Sequence, residues 1–411
     1  EMYSAFGNCP NLESLDLSSF QLTRVQNAQS LFEGCSNLKE IKFNKDTNTG
    51  DARTMEKMFS DCNNLISLDL SFFETSSVED MSEMFKGCSS LVSLNLESFD
   101  TSSVTSMNSM FSGCINLESI KLDNKKFITG GIQATTLEKM FYNCKKLASL
   151  DLSGFVDSMV TITVSMFENC ESLKYLNMRY FKGEEVTDSS KMFKGCFSLE
   201  TLDLDNFIGA MENMNEMFRD CKNLKELKIS KLNVEHVTSL YAIFSGCNSI
   251  TSLDVSNFDT SLVFDFTDMF KNCNSLKSID FGDQIKWDVY EGIYMKSMFE
   301  GCSSLEKLDL SKFDTANAQI MTDMFKNCSG LTELKLDRFD TLKVVNMDGM
   351  FSGVTSLRYL DLSKFDTRNV IKPLNMWEGI TDLKIKINKE KNQNILENLP
   401  SGIIIIDDTA H

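Results

Sequence analysis

The chain has 411 residues, 42% of them apolar and 24% charged, with three prolines and a formal net charge of −18. This is the balance of a folded chain, not of a disordered or linker-rich one, and no apolar run is long enough for a spanning helix. The acidity repels polyphosphates at long range, which excludes nucleic acid and anionic membrane surfaces as direct partners. The same acidity keeps a long, apolar-cored rod in solution.

Residues 1–8 read as the last helical piece of a repeat whose strand is not in the chain. Glu1-Met2-Tyr3-Ser4 has none of the character of a signal peptide. The expectation is therefore a chain that was cut or processed, or whose true start lies elsewhere.

From there the sequence repeats. Cysteines fall at 9, 35, 62, 88, 114, 144, 170, 196, 221, 247, 273, 302 and 328, mostly 26 apart, and Val354 and Ile380 continue the series to fifteen units. Three residues ahead of each stands Phe, or Trp377 in the last unit. The unit from Cys88 shows the rest. Leu94-Asn-Leu96 alternates with period two and predicts a short half-buried strand. Phe99-Asp-Thr-Ser is a turn. Val104, Met107, Met110 and Phe111 share one face at helical spacing, which predicts a short α or 3₁₀ helix. The residue before each Cys position is always Gly, Asn or Asp, so it should hold a positive φ. A 26-residue unit cannot bury its own apolar face, so the units must stack. The fold class is an α/β repeat solenoid, with a parallel β-sheet on the concave face and short helices on the convex face.

Three places break the pattern. The unit over Asp123–Thr136 is lengthened and holds Gly130 and Gly131. The strand unit at Tyr175 carries Arg179 and Tyr180 where Ser, Thr or Asp is usual. The lengthened unit Gly282–Lys296 holds Trp287, Tyr290 and Tyr294. After Leu383 the alternation shifts by one residue. Ile395, Leu396 and Leu399 suggest a short helix, and Ile403–Ile406 a last strand. Residues 1–380 are read as the solenoid and 381–411 as a C-terminal cap over the last core edge, where an unpaired isoleucine run would be an aggregation hazard.

The units resemble those of BspA-like leucine-rich-repeat surface proteins, in the 26-residue subtype. Met84-Phe85-Lys-Gly-Cys88, Leu150-Asp-Leu-Ser153, Phe258-Asp-Thr-Ser261 and Met324-Phe325-Lys-Asn-Cys328 carry the resemblance, which covers nearly the whole chain. It implies a leucine-rich-repeat solenoid at a cell surface or outside the cell, associated with adhesion. It carries no catalytic residues over. The partner it implies is a protein or glycan on another cell or on a matrix.

Thirteen cysteines invite a disulfide or zinc reading. Their number is odd, no Cys-x-x-Cys pair exists, and Val354 and Ile380 take the same place, so they read as buried, reduced thiols. The polar residue between the strand leucines alternates Asp, Asn and Lys along the stack, which balances charge and does not assemble a calcium shell. No metal or cofactor is expected, and no enzyme. His236 reads as a surface residue and His411 has no partner motif. Specificity must come from positions that vary between units. Tyr175, Arg179, Trp287, Tyr290 and Tyr294 are the candidate ligand-binding residues, because Tyr, Trp and Arg dominate binding hot spots. The alternatives are a passive spacer on a cell surface and an intracellular interaction scaffold.

Overall fold

The computed structural model describes residues 2–46, 49–129, 135–156, 159–282, 287–371, 373–397 and 399–408. Two compact units divide the chain, Glu1–Ala210 and Met211–His411. Each is a parallel β-solenoid whose coils follow the expected 26-residue period.

In the first unit, Ser14–Leu17 pairs in parallel with Glu40–Phe43, Ser93–Leu96 with Ser119–Leu122, and Ser149–Asp151 with Tyr175–Asn177. Register is set by the repeat: Leu94 lies beside Ile120, which is 26 residues on. In the second unit, Ser252–Asp254 pairs with Ser278–Asp280 and Lys307–Asp309 with Glu333–Lys335. Tyr359–Asp361, Leu383–Ile387 and Ile403–Asp407 form a three-stranded parallel sheet. Tyr359 pairs with Lys384, 25 residues on, so the one-residue shift after Leu383 is real.

Each strand leads into a turn built by the residue between the leucines. The Asp69 carboxylate accepts the Ser71 N–H at 3.1 Å, and Asp151, Asp254, Asp309 and Asp361 repeat the bond with the serine two residues on. The Leu-Asp-Leu-Ser pattern is thus a turn device as well as a charge pattern. The Thr of Phe-Asp-Thr is buried and clips coils together. Thr341 Oγ1 donates to the Asp366 carbonyl at 3.1 Å and accepts the Asp366 N–H at 2.8 Å.

The predicted helices are not there. Among the described residues the one helix is Gln393–Leu396. Val104, Met107, Met110 and Phe111 are buried as expected, but their segment is a run of linked turns. The preceding coil shows how it works. The N–H groups of Met81, Glu83, Phe85 and Gly87 donate to the carbonyls of Ser106, Asn108, Met110 and Ser112 in the next coil. The N–H groups of Met84, Lys86 and Cys88 close three-residue turns onto Met81, Glu83 and Phe85. An α-helix would spend every N–H on its own axis. Here alternate ones face the neighbour, and a buried spacing of three and four serves both geometries.

Positive φ falls where expected, before every Cys position, from Asn8 (55°) and Gly34 (74°) to Gly379 (78°). A second positive-φ position lies four residues earlier and was not foreseen. Glu83 (55°), Lys139 (54°), Ala242 (51°) and Ser297 (54°) occupy it, and these residue types give no signal in sequence. Each such residue costs roughly 1–2 kcal/mol. The hydrogen bonds to the neighbouring coil offset it, at about 0.5–1.5 kcal/mol apiece.

The core is two aromatic stacks and a column of thiols. In the first unit Phe32, Phe59, Phe85, Phe111, Phe141 and Phe167 stack ring on ring, with centroids 5.2–5.7 Å apart. The second unit repeats this from Phe218, and Trp377 closes it on Phe351 at 5.2 Å. Twelve of the cysteines are buried and Cys9 is exposed. The buried thiols point at carbonyls of the preceding coil, as Cys88 Sγ donates to Phe59 at 3.1 Å and Cys328 Sγ to Phe299 at 3.0 Å. Burial pushes Cys114 and Cys273 up to about 12. Val354 and Ile380 are buried at the same place. At the C-terminal end, Leu383, Ile385, Ile387 and Ile395 are buried, and the Trp377 indole N–H donates to the Ile395 carbonyl at 2.8 Å.

Candidate functional site

The five candidate residues separate into three environments. Trp287 is a correction: it is not on the surface. It is 1% exposed and its indole N–H donates to the Val255 carbonyl at 2.7 Å. Its ring lies between Phe258 and Phe313, in a stack separate from the one that runs from Phe218 to Trp377. Counted back from the cysteine that follows, Trp287 is in register with Phe258 and Phe313, each fifteen residues ahead of its own Cys. The insertion therefore precedes Trp287, a signal that counting forward from Cys273 hides. Residues 283–286, and Gly130 and Gly131 of the other lengthened unit, lie outside the described residues, as does His411. His236 is exposed.

Tyr290 and Tyr294 are exposed, on the turn segments of the second unit. The Tyr290 carbonyl accepts from Asn317 Nδ2 at 2.9 Å. Tyr294 forms parallel bridges with Asp265 on one side and Ile320 on the other. Most coils place Asp, Asn, Ser or Thr at that position, where the side chain caps the following turn, as Asp80 and Asp265 do. Tyr294 gives up that cap for an exposed ring.

Tyr175 opens the strand Tyr175–Asn177, in register with Ser149 of the coil before, and is 59% exposed. Arg179 is exposed in the turn after that strand, with its guanidinium carbon 5.6 Å from the centroid of the Tyr180 ring. That is within cation–π range, so the two side chains hold each other as one rigid surface feature.

Tyr359 occupies the position of Tyr175 in the second unit and is 48% exposed. Sequence reading passed over it, though Lys174-Tyr175-Leu176-Asn177 and Arg358-Tyr359-Leu360-Asp361 are plainly alike. Tyr359 lines a cleft of about 560 Å³ with Lys307, Glu333, Lys335, Asp337 and Asp361. Pairing joins Lys307–Asp309 to Glu333–Lys335 and Tyr359–Asp361 to Leu383–Ile387, and the cleft lies where one pair ends and the next begins. Several charges in and beside it are paired. Lys307 lies 3.1 Å from Glu333, Lys335 3.1 Å from Asp309, and Lys386 3.5 Å from Asp361. The Lys307 ammonium holds the Glu333 carboxyl below its ordinary range, and Asp309 holds Lys335 above its own. The cleft offers an aromatic face with fixed donors and acceptors around it, which is binding chemistry.

Among the described residues no cluster of His, Cys, Asp or Glu has the form of a metal site, and no helix is long and apolar enough to cross a membrane. No curated protein matches the sequence. Among solved structures, a leucine-rich repeat protein from Bacteroides ovatus is similar with 17% identity and a TM-score of 0.51, over 98% of this chain and 86% of that one. A leucine rich cell surface protein from Faecalibacterium prausnitzii shows 18% identity and a TM-score of 0.38, over 75% of each chain. The family described as Mycoplasma protein of unknown function, DUF285, matches over residues 1–127, 92–207, 135–226, 207–304, 277–334 and 295–399. With its Met-Phe-x-x-Cys coils and their parallel stack, the chain belongs to that family and is a BspA-like leucine-rich-repeat protein.

Proposed function

We propose that this protein is a non-catalytic binding module that holds a protein partner on its strand face, at Tyr175 with Arg179 in the first unit and at the Tyr359 cleft in the second. One observation carries the reading. The first strand position is Ser, Thr, Glu or Lys in most coils, and Tyr stands there once in each unit, exposed both times. An exposed Tyr contributes contact area at low entropic cost, and Tyr and Arg are the side chains that anchor interfaces. The core columns encode stacking and are the same in nearly every coil, so they cannot select a ligand.

The place of action in this reading is a cell surface or the space outside the cell, and the role is adhesion to a partner on another cell or on a matrix. The likeness of the coils to surface-protein repeats supports it. The test is binding of labelled full chain to whole cells and to matrix-coated plates. Tyr175→Ala with Tyr359→Ala should lower apparent affinity about ten-fold or more, with the melting curve unchanged. Full binding by the double variant would rule out the strand face.

A further inference from the structure

The turn segments of the second unit carry a second surface. Nine residues ahead of each cysteine position, one column runs through Thr238, Phe264, Ile293, Gln319, Val345 and Ile371. These residues are hydrogen-bonded in series: the N–H of Phe264, Ile293, Gln319, Val345 and Ile371 each donates to the carbonyl of the column member before it, at 2.8–3.2 Å. Their side chains therefore stand in one row at strand spacing, about 4.8 Å. Phe264, Val345 and Ile371 are exposed, Ile371 at 79%. In the first unit the same column is Gln26, Arg53, Glu79, Thr105, Thr135, Thr161 and Thr187, polar throughout. An apolar row appears in one unit only.

The row is nearly symmetric about Gln319. We propose that it is the interface of a homodimer, in which a second copy packs on it antiparallel about a two-fold axis through Gln319. That operator reverses coil order and keeps lateral position. Phe264 then meets the Ile371 of the other copy, Ile293 meets Val345, and Gln319 meets Gln319, whose amides can exchange hydrogen bonds. In the flanking columns the pairs one coil either side of Gln319 follow the same operator. Twelve residues ahead of the cysteine position, exposed Tyr290 meets exposed Leu342. Eleven ahead, Glu291 meets Lys343. Six ahead, Lys296 meets Asp348. Apolar thus falls on apolar and acid on base at each of these pairs.

A second copy of this chain is the occupant that matches this spacing and both charge pairs, and self-complementarity of one patch is what a two-fold interface requires. The row spans five coils, roughly 19 Å. That is below the size of a standard interface, so the dimer is weak and assembles only at high protein concentration.

The test uses the full chain at about 0.15 M salt, where net charge is screened beyond about 8 Å. Sedimentation over a concentration series should show monomer and dimer in exchange. Glu291→Lys and Lys343→Glu should each weaken the dimer about five-fold or more, and the two together should restore it. In a Cys9→Ser background, Gln319→Cys should form a disulfide-linked dimer, because the residue faces its own copy. All of these positions are at the surface, so the fold should tolerate the changes. A chain that stays monomeric at several hundred micromolar overturns the proposal. So does a dimer that the charge swap does not rescue or that Gln319→Cys does not link.

Discussion

The indole of Trp287 lies parallel to the ring of Phe313, with centroids 5.9 Å apart and planes 6° apart. Phe258 flanks its other face at 6.4 Å. A residue from a lengthened coil therefore completes a stack of phenylalanines. Trp287→Ala should destabilise the protein by about 3–5 kcal/mol, as loss of a buried large aromatic does. Trp287→Phe should recover most of it. Denaturant unfolding measures both, and a surface role is indicated instead if Trp287→Ala leaves the midpoint in place.

The thiols give a second prediction. Twelve are buried, and burial pushes thiols such as Cys114 and Cys196 up to about 12, far above the range in which thiolate forms. Cys9 is exposed. A thiol reagent at pH 8 should label one group quickly in native protein and about twelve more only after unfolding. Raising the pH to 9 should not open the buried set. Several fast groups in the native state would show that the column is not packed as described.

Gly301 has φ 77°, and a Cβ there would sit 2.5 Å from Asn272 Oδ1. Gly301→Ala should cost about 1–2 kcal/mol. Gly301→Asn should cost less than half of that, because Asn tolerates this conformation and fills the same position at Asn143, Asn169 and Asn327. Comparison of the two unfolding midpoints checks the order.

Asp69 sits 2.6 Å from Lys45 and accepts from Ser71, and together they hold its carboxyl down at about 2. A depressed carboxylate stabilises the fold above its unfolded value near 4, and that contribution is lost as pH falls through about 2. The site is exposed, so the effect on stability is small. Lys45→Met should move the Asp69 titration upward toward 3.8, read by carboxyl carbon chemical shifts. An unmoved titration would assign the depression to Ser71 alone.

Much of this was legible in the residues. The cysteine period gave the coil and the strand register, and the Gly, Asn or Asp before each cysteine gave its positive φ. The turn segments misled, because buried residues three and four apart satisfy a helix and a chain of turns equally. What decides between them is where the N–H groups point, and at Glu83 or Lys139 no side chain announces it. Trp287 misled for a different reason: residue type and an inserted segment suggested a loop, while its distance to Cys302 placed it in the stack. Tyr359 was hidden by regularity, since its coil keeps the period and only the exposed first strand position differs.

The alternating ladder between Met81–Gly87 and Ser106–Ser112 has a consequence for how such a chain can change its length. Within each unit, successive coils show one another the same backbone donors and acceptors, whatever their side chains. A gene segment encoding one whole coil can be gained or lost and the flanking coils will still fit each other. A change of one or two residues inside the ladder cannot be absorbed, whereas the lengthened units show where extra residues are tolerated, between strand and ladder. Within a unit, reach is therefore adjusted in whole coils, each moving the coils beyond it by about 4.8 Å, and the surfaces at Tyr175 and Tyr359 are each carried along without being rebuilt.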